Sequence, residues 1–263
     1  SDTKQENTLL DERLLTTPSV AVGRAMLTGG DMAEICRTAL LQAMSTTRVW
    51  NDAIADEVIR KEDAVDHYED VLGTYLVKLS AKHLSVEDNR SVNTLLHTIG
   101  DFERISDHAV NILSSAEEME QKGLTFSGSA LNELAILTSA IREILSLSLK
   151  SFSSQDVALA QQVEPLEQVI DTLKEQMRTR HILRMQQGHC SIEAGFILSD
   201  LLTDLERTSD HCSNIAGCVI DAAQHNLNLH ETLRAAHSDT HAFRSEFERY
   251  AAKYALPAPA SAQ

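Results

Sequence analysis

The chain has 263 residues, 43% of them hydrophobic and 4% aromatic, which is enough apolar material for a sizeable core and too much for a disordered segment. Its 23 Lys and Arg against 39 Asp and Glu give a formal charge of −16 with no basic run, which excludes an ordinary nucleic-acid-binding domain and favours cationic partners, metal ions or a basic protein surface. Cys36, Cys190, Cys212 and Cys218 form no CxxC pair, so they read as core or surface thiols of a reducing compartment, not as a disulfide framework or a zinc ribbon.

Between residues 19 and 256 proline occurs only at Pro165, and Leu, Ala, Glu, Ser and Thr dominate, so the elements are helices throughout. Residues 1–28 read as a linker; the chain starts at Ser1-Asp2 without Met, as expected of a segment or a processed product. Gly29-Gly30-Asp31 supplies a break and an N-cap, predicting a first helix over 31–48. A second spans 52–82, with Val58, Val65, Leu72, Leu76 and Leu79 on its apolar side. Ser85, with Asp88 three positions on, opens a third that runs to about 121 and ends at Gly123. Helices over 128–152, 154–187 and 191–224 repeat the arrangement, Gly188 marking a break and Pro165 a kink or a helix start. A last helix over 229–255 has no counterpart, and the tail from Pro257 to Gln263 frays.

Long helices with short loops pack side by side, so the chain divides into a three-helix repeat over 29–124, a second over 125–225 and a C-terminal helix with its tail over 226–263. The fold class is all-α. No apolar run is long enough to cross a membrane, and no secretory signal opens the chain.

The duplication is visible in detail. Phe102-Glu103-Arg104-Ile105-Ser106-Asp107-His108 with Asn111-Ile112 returns as Leu205-Glu206-Arg207-Thr208-Ser209-Asp210-His211 with Asn214-Ile215. Glu, Asp and Asn stand at i, i+4 and i+8, so each copy aligns Glu103, Asp107 and Asn111, or Glu206, Asp210 and Asn214, along one edge of a helix. An ExxxD pair precedes each copy, Glu62 with Asp66 and Glu167 with Asp171. Glu69 flanks the same apolar stripe as Glu62 and Asp66.

Singly, an ExxxD is most often a solvated boundary making contacts with nearby Lys or Arg. Like charges at i, i+4, however, destabilise a helix unless a cation compensates, and here they recur at duplicated positions. Oxygen donors in that pattern suit hard ions such as Fe(III), Mn(II), Mg(II) or Ca(II), with Zn(II) possible. His108 and His211 lie about 100° from their aspartates on the helix and read as solvated or capping residues in preference to metal ligands or partners of the ligands. Arg104 and Arg207 read as structural salt-bridge partners, and His237 with His241 as a surface pair outside the site.

The doubled F/L-E-R-x-S-D-H-x-x-N-I signature, each copy preceded by an ExxxD helix, resembles the PhoU family of phosphate-transport regulators over about residues 30–225. The segment Leu10-Asp11-Glu12-Arg13-Leu14-Leu15-Thr16-Thr17-Pro18 is similar to the juxtamembrane stretch that follows the membrane domain in bacterial sodium/phosphate cotransporter family proteins with a C-terminal PhoU domain. The resemblance implies two three-helix bundles related by a pseudo-twofold, a cytoplasmic setting and multinuclear iron or zinc clusters. It places Glu62, Asp66, Glu103 and Asp107, with Asn111, at one cluster and Glu167, Asp171, Glu206 and Asp210, with Asn214, at the other. Differences between the copies, such as Gly100 against Thr203, allow unequal affinities.

The expected function is therefore metal-binding regulation of phosphate uptake by the cytoplasmic part of a sodium-coupled transporter. The alternatives are a free-standing PhoU-type negative regulator whose partners are a phosphate permease and a sensor kinase, and a metal-free helical adaptor. Homodimerisation through exposed bundle faces is a further expectation. Catalysis is not expected, because the chain lacks the Glu-x-x-His helices of di-iron enzymes, a phosphate-binding Gly loop, HExxH and a nucleophile elbow.

Overall fold

A computed structural model describes residues 10–224 and 229–259, the side chains of 229–240 excepted. After a 3₁₀ turn at Glu12–Thr16, the first repeat consists of α1 (Pro18–Thr46), α2 (Asp52–Ser80) and α3 (Val86–Lys122). The second consists of α4 (Gly128–Ser154), a single helical turn at Val157–Ala160, α5 (Val163–Gln186) and α6 (Ile192–Gln224). A final helix, α7, covers Leu229–Lys253. Among the described residues none of these helices is long and apolar enough to cross a membrane.

Most boundaries follow from caps. Asn51 accepts from the Ile54 amide, Ser85 from that of Asp88 and Ser127 from that of Ala130. Gly123 closes α3 in the left-handed conformation, at φ 61°. Pro165 falls in the first turn of α5, where its missing N–H costs nothing, so it starts that helix and does not kink it.

The first helix departs from expectation. It begins at Pro18 and runs straight through Gly29-Gly30, so much of the stretch read as linker belongs to α1. The reason is packing: a Cβ at Gly29 would stand 2.5 Å from Leu95 Cδ1 and 3.4 Å from the Phe152 ring. Gly29 is thus the point where α1 lets α3 and α4 come close, a gain that outweighs its poor helix propensity.

Each repeat closes its own core, and the two cores merge where α3 packs on α6 and α1 on α4. Phe102 of α3 meets Phe152 of α4 edge to face, ring centroids 5.1 Å apart. Polar contacts reinforce this seam reciprocally. His108 Nδ1 donates to Asp204 Oδ1 at 2.9 Å, and His211 Nδ1 to Asp101 Oδ1 at 2.9 Å. The Asn111 and Asn214 amides add donors to the same oxygens at 3.2 and 3.3 Å. Residue 101 meets 211 while 108 meets 204, so α3 and α6 run antiparallel about a local twofold. The imidazoles lie beside each other, centroids 5.6 Å apart.

These histidines are therefore not solvated. His108 is buried and His211 partly so, because α3 and α6 are each covered on a second side by the other repeat. A projection of one helix onto its own bundle cannot reveal that second side.

The second bundle also carries charge inside. Glu133 of α4 is buried and receives Arg180 at 3.2 Å and Arg184 at 3.1 Å from α5. His181 lies beside them, buried, with neither ring nitrogen hydrogen-bonded; burial, and then the Arg184 charge, depress its pKa and hold it neutral. Cys36 and Cys212 are buried free thiols, and burial pushes Cys212 up to about 12.

Two stability effects follow. Replacing Glu133 with Ala strands the Arg184 guanidinium and leaves Arg180 only its bond to the Pro257 carbonyl, and should cost about 3–5 kcal/mol in urea unfolding. Asp204→Ala leaves the His108 and Asn111 donors unpaired at the seam and should cost about 1–3 kcal/mol, with a similar loss for Asp101→Ala.

Candidate functional site

The acidic edges of α2 and α3 meet in the first repeat, and those of α5 and α6 in the second. In the first, carboxylate oxygens of Glu62, Asp66 and Asp107 come within 4.8 Å of one another. Ligand oxygens around a single ion with metal–oxygen bonds of about 2.1–2.5 Å can be no further apart than roughly twice that length, so this spacing fits one hard cation. Glu103 stands beside Asp107, and Glu69 adds its charge from α2.

The electrostatics show a cluster short of positive charge. Burial, then repulsion from Asp66, raises Glu62; burial, then Asp107, raises Asp66; burial, then Asp70 and Asp66, raises Glu69. Glu103 is displaced furthest, to about 7, by burial and then by Asp107, with Arg104 opposing. Arg104 bonds to this cluster, at 3.1 Å from Asp107 and 3.6 Å from Glu103. Its side chain is 63% exposed, so the pairing is weak and easily given up. The salt-bridge role expected of Arg104 is what the structure displays.

In the second repeat Glu167 rises to about 7 through burial and the Glu164 charge, helped by its hydrogen bond with Asp210. Asp210 is raised by burial and by Glu206, and Asp171 adds to the repulsion on both. Lys174 of α5 reaches into this group and donates to Glu206 Oε2 at 3.0 Å. Of the predicted site residues, Glu62, Asp66, Glu103 and Asp107 therefore converge in one repeat and Glu167, Asp171, Glu206 and Asp210 in the other. Asn111 and Asn214 sit one turn on, where their amides bond to Asp204 and Asp101 across the seam.

Sequence reading passed over Lys174, Asp101 and Asp204. Comparing the two copies position by position could have found Lys174; nothing local marks the aspartates, whose partners lie about a hundred residues away. The His237 side chain lies outside the described residues, so the His237/His241 pair is not characterised.

The donor set fits the hard ions expected of it, since it consists of carboxylates alone, crowded enough to hold protons near neutrality. The ion-free protein should respond to pH accordingly. Glu103 and Glu167 release their protons near 7 in the fold and near 4.5 when unfolded, so the native state binds more protons between those values. Native stability then falls as pH rises from about 5 to about 7.5 and stays at its lower level beyond. Thermal melts in chelator should give a lower Tm at pH 8 than at pH 5.5, and added cation should recover more stability at pH 8 than at pH 5.5.

Comparisons with known proteins agree with this architecture. A family model described as the PhoU domain matches the chain twice, over residues 30–116 and 134–219. A phosphate-specific transport system accessory protein PhoU homolog from Thermotoga maritima is 25% identical over 200 residues, covering 76% of this chain and 85% of the relative. A protein of the same description from Xylella fastidiosa is 26% identical over 192 residues, covering 72% and 79%. Among solved structures, PhoU from Pseudomonas aeruginosa superposes with a TM-score of 0.72 at 20% identity, over 80% of this chain and 98% of that one. The phosphate transport system regulatory protein PhoU from Streptococcus pneumoniae gives 0.68 at 17% identity, over 78% and 96%. With two domain matches that together cover more than half of its length and fall on the two helical repeats, the chain belongs to the PhoU family.

Proposed function

We propose that this protein is a PhoU-type regulator of phosphate transport, acting in the cytoplasm on a phosphate permease, with a sensor kinase as a second partner. The observation that carries the reading is the doubled PhoU domain, shared with relatives described as accessory proteins of phosphate-specific transport. Regulation is favoured over catalysis, because the converging groups are carboxylates suited to holding cations and include no nucleophile poised beside a base. A cation such as iron, zinc, manganese or magnesium, held by Glu62, Asp66, Glu103 and Asp107, would cross-link α2 to α3 and neutralise a face that otherwise repels itself. Loading would thereby set the charge that a partner meets.

A second reading, the cytoplasmic part of a sodium-coupled phosphate transporter, is supported by the segment Leu10–Pro18. That segment is fastened to the bundle: the Asp11 carbonyl accepts from the Tyr75 hydroxyl at 3.2 Å, and Lys78 pairs with Glu12. A gene product without membrane-spanning segments would discard this version and leave the free-standing regulator.

Two measurements test the proposal. Phosphate uptake in host cells should change when the gene is deleted and return on complementation; unchanged uptake would refute the regulatory role. Protein purified without chelator should contain metal that Asp107→Ala removes. The ion-free Asp107→Ala protein should melt no lower than ion-free wild type, since it has lost a repelling charge.

A further inference from the structure

The two carboxylate sites are built to one plan but differ in charge at one position. Aligning Glu62 with Glu167 and Asp66 with Asp171 carries Glu69 of α2 onto Lys174 of α5. In the first repeat Glu69 is a further carboxylate on the cluster, repelled by Asp66 and Asp107 and in turn repelling Glu103. In the second, the equivalent side chain is an ammonium whose Nζ lies 3.0 Å from Glu206, the counterpart of Glu103, and 3.7 Å from Glu175. Lys174 is 12% exposed and Glu206 19%, so this ion pair is sheltered from solvent and salt.

The arginines do not restore the balance. Arg104 reaches the first cluster from solvent, whereas its counterpart Arg207 lines a polar groove at the seam with Asn111, Thr203 and Asp204. Among the described residues the carboxylates that close to within one ion's span are Glu62, Asp66 and Asp107, all from the first repeat.

We infer that the sites are functionally unequal: the first takes a metal cation, and the second already holds a cation, the Lys174 ammonium paired with Glu206, which opposes the entry of an ion there. An incoming ion at the second site would have to displace a sheltered ammonium from Glu206 or endure its charge a few ångströms away, whereas at the first it need only push Arg104 back into water. The inference rests on the metal-binding reading proposed above and narrows it from a symmetric pair of sites to one loaded site and one guarded by its own ammonium. The second repeat then keeps a fixed charge whatever the metal supply, and only the first reports on it.

The test is titration of the full chain with Mn(II), free ion followed by its electron paramagnetic resonance signal, beside Lys174→Glu, Lys174→Met and Glu69→Lys, with folding checked by circular dichroism. Wild type should show tight binding confined to one class of site. Lys174→Glu, which copies Glu69, should add a second class, and Lys174→Met should add a weaker one even if the Glu variant folds poorly. Glu69→Lys should weaken the first class by at least about tenfold, since it places a positive charge beside the ion. A wild-type stoichiometry of tight binding equal to that of Lys174→Glu, or no new class in either Lys174 variant, would overturn the inference while leaving metal binding in place. No Mn(II) binding by any folded variant would overturn the metal reading and this inference together.

Discussion

The architecture depends on the antiparallel contact of α3 with α6. These helices carry the acidic motif on one edge and the His–Asp–Asn exchange on another, so the residues that join the repeats lie within a turn of those that gather charge. His108 follows Asp107 directly, as His211 follows Asp210. Each helix is thereby locked in rotation: turning α3 to improve its hydrogen bond to Asp204 would swing Asp107 away from Glu62 and Asp66. The seam fixes the azimuth at which the carboxylates face α2 and α5.

That geometry explains how a cluster of repelling carboxylates persists in the fold. Helix–helix burial of Phe102, Ile105, Ile112 and their neighbours supplies the stabilisation, and the crowded edge offsets part of it. Elevated proton affinity at Glu103 and Glu167 is the local sign of that cost. The two repeats relieve it differently, one with a surface guanidinium that can be displaced and one with a sheltered ammonium that cannot be displaced cheaply.

Much of this was legible in the sequence. Helical class, repeat organisation, the carboxylates that converge, and the caps at Ser85 and Gly123 followed from periodicity and from a signature present twice. Gly29-Gly30 misled because glycine propensity is a local quantity, whereas its role at this position is to admit Leu95 and Phe152 from distant parts of the chain. His108 and His211 misled because a single-helix projection has one inside, and helices at an interface between repeats have two. The buried Glu133 with Arg180 and Arg184 was also invisible locally. The repeats hold a clue even there, since the register that pairs Glu62 with Glu167 sets His181 and Arg184 against the apolar Leu76 and Leu79.

The same register sets Tyr75 against Arg180, and each holds a segment that lies outside the two repeats. Tyr75 bonds to the Asp11 carbonyl, and Arg180 donates to the Pro257 carbonyl at 2.7 Å. The segments flanking the repeats are thus moored at equivalent points, one on each bundle. The consequence is mechanical. Tension applied through either segment is received first on the second helix of one bundle, by Tyr75 with the neighbouring Lys78–Glu12 pair on one side and by Arg180 on the other, where it can be shed by local peeling, and it reaches the seam between the bundles only after that mooring has given way.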